Sequence, residues 1–183
     1  MSAAMMTDLA QIQRAAVAKE DENCAFQTFV KLELELSDRR LNTIVSGTTA
    51  EVWKHIDCRT CANCCRSQYP TFSRPEVERI AAYIGLTAEE LRTGYLTSDA
   101  DSGKYITREL PCPFLEGNLC AIYEVRPAVC AGYPHLQRNF RSRLWQTIDH
   151  AAVCPIVFNV LESLKKSLTY RKHPCNRRLC PAG

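Results

Sequence analysis

The chain has 183 residues, 46% of them apolar, and a formal charge of +3. That suffices for one packed domain, or one domain with a docked extension, and excludes a largely disordered chain. Charge is uneven, with net −2 over residues 1–50, −1 over 51–110 and +6 over 111–183, so the C-terminal third is basic, in the clusters Arg138, Arg141, Arg143 and Lys165, Lys166, Arg171, Lys172, Arg177, Arg178.

Met1 to Asp8 has no basic start, and no apolar run of signal-peptide length follows. Residues 7–45 predict one or two helices, because Leu9, Ile12, Ala16, Val17 and then Phe26, Phe29, Val30, Leu34 and Leu41 recur at helical spacing. Leu32 to Leu36 alternates, but Leu and Glu favour helix over strand there. Ser46-Gly-Thr-Thr49 reads as a break. Residues 58–65 are dense in cysteine and lack a helical apolar period, which predicts a loop wrapped around something.

Two helices follow. Ser73 predicts an N-cap with Glu76 three residues on, Pro75 suits the first turn, Val77, Ile80, Ala81 and Ile84 form the inward stripe, and Gly85 ends the helix. Thr87 with Glu90 caps the second helix, which turns Leu91 and Tyr95 inward. Asp99 to Gly103 predicts a turn and Lys104 to Arg108 a short strand. Cys112-Pro-Phe-Leu115 and Leu119 to Tyr123 flank Glu116-Gly-Asn118, a hairpin signature that Arg126-Pro127 interrupts. Residues 155–170 predict a final amphipathic helix with Val157, Val160, Leu161, Leu164 and Leu168 on one face. The most apolar run, Ala151 to Val160, is broken by Pro155 and too short to span a membrane. The expected architecture is α+β: a small, mostly helical, metal-stabilised domain with a short hairpin. Its expected divisions are a helical extension (1–50), a cysteine-cluster domain (51–170) and a basic cysteine-containing tail (171–183).

Eleven cysteines demand a chemical reason. With no signal for secretion the chain is expected in the cytoplasm, where clustered thiols bind metal or perform redox chemistry. Cys58-x-x-Cys61-x-x-Cys64-Cys65 is the strongest motif, since each CxxC turn brings two sulfurs to one side of a tight loop. Three thiolates so spaced, with a distant Cys-Pro as fourth ligand, hold a cubane [4Fe–4S] cluster in bacterial ferredoxins. Cys112-Pro113 and Cys154-Pro155 both offer that fourth ligand. Adjacent side chains tend to diverge, so Cys64 and Cys65 are not expected as equivalent ligands of one ion. Cys65, Cys112, Cys120, Cys130 and Cys154 supply enough thiolates for a second four-ligand site, and one larger centre is the competing arrangement. Zinc accepts the same donors. Arg126 would offset the negative charge of a thiolate centre. Cys24, beside Phe26, reads as a packed thiol.

Taken together, Cys58-x-x-Cys-x-x-Cys-Cys65, Cys112-Pro-Phe-Leu115, Cys120-Ala-Ile-Tyr-Glu-Val-Arg-Pro-Ala-Val-Cys130, Tyr133-Pro134 and Cys154-Pro155 resemble the YkgJ-type cysteine-cluster family. That family is described as zinc- or iron-chelating and often as iron–sulfur-containing. The resemblance covers about residues 55–156. It implies that Cys58, Cys61, Cys64, Cys65, Cys112, Cys120, Cys130 and Cys154 act together as metal ligands.

The leading functional expectation is an iron–sulfur protein in electron transfer, cluster handling or cluster-assisted chemistry. A zinc-stapled binding module is the alternative. Either would meet a protein or redox partner through the basic C-terminal third. Nucleic acid is not expected. Residues 75–91 resemble a helix-turn-helix, but Glu89 and Glu90 would face the phosphates at the head of its second helix. The histidines His55, His135, His150 and His173 form no recognisable nucleophile–base pair.

Overall fold

A computed structural model describes residues 5–170. The tail at 171–183, with Cys175, Cys180 and its basic residues, lies outside the described residues. In chain order the elements are α1 (Leu9–Ala18), α2 (Glu20–Thr28), α3 (Asp38–Trp53), α4 (Cys58–Cys61), α5 (Asn63–Ser67), β1 (Thr71–Phe72), α6 (Arg74–Ile84) and α7 (Ala88–Tyr95). There follow β2 (Leu96–Ser98), β3 (Tyr105–Thr107), β4 (Leu115–Glu116), β5 (Leu119–Cys120), α8 (Ala128–Ala131), α9 (Phe140–Asp149) and α10 (Pro155–Ser167). Helix dominates and the strands are short, so the mostly helical α+β expectation holds. Among the described residues no helix is long and apolar enough to cross a membrane.

The chain forms two compact units, Met1–Asp57 with Pro134–Gly183, and Cys58–Tyr133. The sequence-based boundaries assigned residues 134–170 to the cysteine domain, whereas by contact they complete the core of the N-terminal helices.

In the first unit α10 packs against α1, α3 and α9. It is buried over most of its circumference, from Pro155 through Leu161 and again at Leu164 and Lys165. Asn159 can be buried there because its amide is satisfied: Oδ1 accepts from the Met6 N–H at 3.0 Å, and Nδ2 donates to the Met6 and Pro155 carbonyls at 2.7 and 2.8 Å. The expected break at residues 46–49 is absent, and α3 runs through it. Its stripe of Leu41, Val45, Thr49 and Val52 is buried. The Thr48 and Thr49 hydroxyls donate back to Ile44 and Val45 carbonyls at 3.0 and 2.7 Å, so the polar residues are accommodated inside the helix. Burial outweighs the weak local propensity of Gly47 and its neighbours. Residues 32–36 are only partly helical: a π-helical turn covers Phe29–Glu33, and Leu34 is already extended. Helix α9 was not anticipated.

The basic surface is smaller than the sequence suggested. Arg141 is committed internally, with Nε donating to Asp38 Oδ1 at 2.7 Å, Nη2 to the Leu36 carbonyl at 2.6 Å, and Nη1 to the Val30 carbonyl. Lys165 is 6% exposed and bonded to Glu22 and Glu162.

In the second unit β1, β3 and β2 form an antiparallel sheet in that order. It pairs Thr71 with Ile106 and Leu96 with Thr107. Phe72, Val77, Ile80, Ala81, Leu91, Leu96, Phe114 and Ile122 form the core. Both capping boxes are present. Glu76 Oε2 accepts from the Ser73 N–H at 2.7 Å, and Glu90 Oε2 from the Thr87 N–H at 2.8 Å. Gly85 ends α6 at φ 76°, a left-handed conformation that costs glycine little. Tyr95 is 37% exposed rather than fully inward, with one face stacked on Phe114 at 5.7 Å.

Thr107 is buried in β3, and its hydroxyl has no hydrogen-bond partner among the described residues. Replacing it with valine removes a desolvated polar group at nearly constant shape. Thr107→Val is expected to stabilise this unit by about 1 kcal/mol, read as a higher urea midpoint. A lower midpoint would show that the hydroxyl is satisfied in solution.

Candidate metal centre

The cysteine block is not a loop. Cys58–Cys61 and Asn63–Ser67 are each a short helical turn, joined at Ala62 in the left-handed region with φ 49°. The Ala62 N–H donates to the Cys58 carbonyl at 3.2 Å, the Cys65 N–H to the Ala62 carbonyl at 3.1 Å. Too short to show an apolar period, these turns leave no trace in a periodicity reading.

Cys64 and Cys65 were expected to diverge. They lie on one helical turn, α5, where neighbouring side chains are about 100° apart, yet the Cys64 thiol is close enough to hydrogen-bond the Cys65 sulfur. That bond lowers the Cys65 thiol to about 7, with burial opposing and the Arg66 charge assisting.

Three other segments bring thiols to Cys65. The Cys112 N–H donates to the Cys65 carbonyl at 2.7 Å, fixing the start of the hairpin strand to the end of the cysteine block. Cys120 lies in β5 opposite Leu115, and the turn between them uses Gly117 at φ 63°. Cys130 lies on α8. The N-terminus of α8 is tied to α6, since the Ala128 N–H donates to Glu76 Oε1 at 2.7 Å while the other oxygen caps Ser73. Burial pushes the Glu76 carboxyl up, but the bonds from Ala128 and Ser73 outweigh it and hold it below the usual carboxylate range.

Burial pushes Cys112 up to about 11, and negative charge on Cys65 and Cys120 adds to the rise. Burial, then Cys65, Cys112 and Cys120, push Cys130 to about 12. Cys120 is also raised, first by burial. The Arg126 charge opposes the rise at Cys120 and Cys130, and its guanidinium lies 3.7 Å over the Tyr123 ring. Negative charge on Cys65 thus disfavours ionisation of Cys112, Cys120 and Cys130, on top of the larger effect of their burial.

Seven of the eight expected ligands, Cys58, Cys61, Cys64, Cys65, Cys112, Cys120 and Cys130, belong to the Cys58–Tyr133 unit, half-buried and not in disulfides. The eighth, Cys154, is buried at the N-cap of α10 in the other unit. Cys24 is disulfide-bonded rather than a packed thiol. His55 lies exposed just beyond the end of α3, 3.6 Å from Glu51. Among the described residues no three His, Cys, Asp or Glu side chains already stand in coordinating geometry. The donor set nonetheless fits a soft metal centre. It is rich in sulfur, its thiolates need an external positive charge to coexist, and Arg66 and Arg126 supply only part of it.

Residues 57–176 match the family model CxxCxxCC, described as a "Putative zinc- or iron-chelating domain". The chain belongs to the CxxCxxCC family. No curated protein and no solved structure matches it. The CxxCxxCC match spans both the cysteine block and the residues contributing Cys112, Cys120, Cys130 and Cys154.

Two residues that the motif reading passed over stand out. Arg66 and Asn118 bond across from the cysteine block to the hairpin turn, and Arg66 in Cys-Cys-Arg was visible only as a charge beside two thiols.

Proposed function

We propose that this CxxCxxCC protein carries an iron–sulfur cluster on cysteines of the Cys58–Tyr133 unit and uses it in electron transfer, cluster handling or cluster-assisted chemistry. The observation that supports it most is the convergence of separate cysteine-bearing segments: the Cys112 N–H bonds the Cys65 carbonyl at 2.7 Å, and β5, which carries Cys120, lies against α4, which carries Cys58 and Cys61. Thiols drawn from separate segments into one half-buried group are costly as anions and gain from a shared cationic centre. Cys58, Cys61 and Cys64 add the ferredoxin-like spacing. When bound, such a cluster supplies one-electron chemistry. The protein's part is to hold the sulfurs, limit water and, through Arg126 beside Cys120 and Cys130, offset negative charge. A redox or protein partner meeting basic residues such as Arg138 and Arg143, in the cytoplasm, completes the proposal.

Zinc is the second reading, since the family description names zinc and iron alike and four thiolates suit a structural zinc. Protein purified without oxygen is expected to be brown, with iron and acid-labile sulfide in matched amounts. Colourless protein with stoichiometric zinc would overturn the cluster and support a zinc-stapled module. Neither metal at stoichiometric level would overturn both.

A further inference from the structure

Arg66 follows directly on Cys65, and its guanidinium reaches two ligand-bearing segments at once. Nη1 donates to the Cys61 carbonyl at 3.0 Å, and Nη2 donates to the Gly117 carbonyl at 3.0 Å and also contacts Asn118 Oδ1. Asn118 answers in the opposite direction, its Nδ2 donating to the Thr60 carbonyl at 3.0 Å. The Cys61 carbonyl closes a helical turn and has no continuing helix to accept from, so a side-chain donor is the natural partner. The Gly117 carbonyl sits in the hairpin turn two residues before the strand that carries Cys120. α4 and β5 are also in direct contact. Only a planar fork with several fixed donors bridges three acceptors on two segments, and a lysine ammonium lacks that geometry.

We propose that Arg66, with Asn118, is the positioning device that holds the β4–β5 hairpin against the CxxCxxCC turns, so that Cys120 stands beside the Cys58–Cys65 thiols before any metal arrives. This rests on the metal-binding reading above. Residues that orient metal ligands without touching the metal change affinity by roughly 10–100-fold. The clamp is exposed, so its effect on overall stability is small, while its effect on sulfur placement is not.

The test uses the full chain, reduced and metal-free, loaded with Co(II), whose visible ligand-field spectrum reports thiolate geometry. Wild type, Arg66→Lys, Arg66→Ala, Asn118→Ala and Cys61→Ala are compared for that spectrum, for the rate of Co(II) extraction by EDTA, and for metal-free thermal unfolding. Arg66→Lys is expected to release Co(II) roughly tenfold faster or more, with an altered spectrum and unchanged metal-free unfolding. Asn118→Ala should move in the same direction. Arg66→Lys behaving as wild type would overturn the clamp and leave Arg66 as a mere charge beside Cys65. Faster release that tracks a lower metal-free melting temperature across the variants would also overturn it, in favour of a purely structural role. If wild type itself gives no thiolate ligand-field spectrum with Co(II), the metal-binding reading fails. If Cys61→Ala loses that spectrum while the Arg66 variants do not, only the clamp fails.

Discussion

Cys61→Ala is expected to leave the purified protein with less than about a tenth of its metal, because losing one thiolate both removes a bond and opens the centre to water. The structural consequence should be local. Metal binding contributes roughly 10–16 kcal/mol in small zinc-dependent folds that have little else. Here the Cys58–Tyr133 unit also has its own apolar core around Phe72, Ile80, Leu91 and Phe114. Amide hydrogen exchange should therefore accelerate at residues 58–67 and 112–131, while α6, α7 and the β1–β3–β2 sheet stay protected. Wild-type metal content in the variant would remove Cys61 from the ligand set. Loss of protection throughout α6 and α7 would show that the metal, not the apolar core, carries this unit.

The second large effect is expected far from the cysteines. Lys165 is 6% exposed and donates to Glu22 Oε1 and Glu162 Oε1, both at 2.8 Å. Lys19 closes the network on Glu162 at 2.6 Å. Burial pulls Lys19 down, but the Glu162 and Glu22 carboxylates outweigh it and raise its ammonium above the usual lysine value. Lys165→Met leaves two shielded carboxylates with Lys19 as the cation that they share among the described residues. Breaking a buried pair by removing one partner costs about 3–5 kcal/mol, whereas removing both partners costs far less. A loss of about 3 kcal/mol in chemical denaturation is expected for Lys165→Met, with Glu22→Gln added to it recovering part of that loss. If the double variant is as unstable as the single one, the lost contribution is lysine packing rather than unpaired charge.

Features governed by neighbours in sequence were legible beforehand. Ser73 with Glu76, Thr87 with Glu90, the left-handed Gly85 and the hairpin at Gly117-Asn118 are short-range devices whose residue types carry their geometry. The cysteine motifs were legible for the same reason. Features decided by distant partners were not. Gly47 and its threonines read as a break because nothing local shows that Val45, Thr49 and Val52 are buried. Lys165 and Arg141 read as surface charge because Glu22, Asp38 and the Val30 and Leu36 carbonyls lie more than a hundred residues away. Glu76 shows the boundary within one side chain, one oxygen serving a predictable cap and the other the Ala128 N–H 52 positions on.

The order of the chain gives the two units different histories during synthesis. The helical unit is closed by α9 and α10, which follow Pro134, so its core cannot be completed until the whole cysteine-bearing stretch has left the ribosome. The Cys58–Tyr133 unit is continuous in sequence and has its core in hand earlier. Seven thiols are thus displayed on a nascent chain whose first helices are still waiting for their partners, which gives the proposed centre a window for maturation before the helical unit is closed.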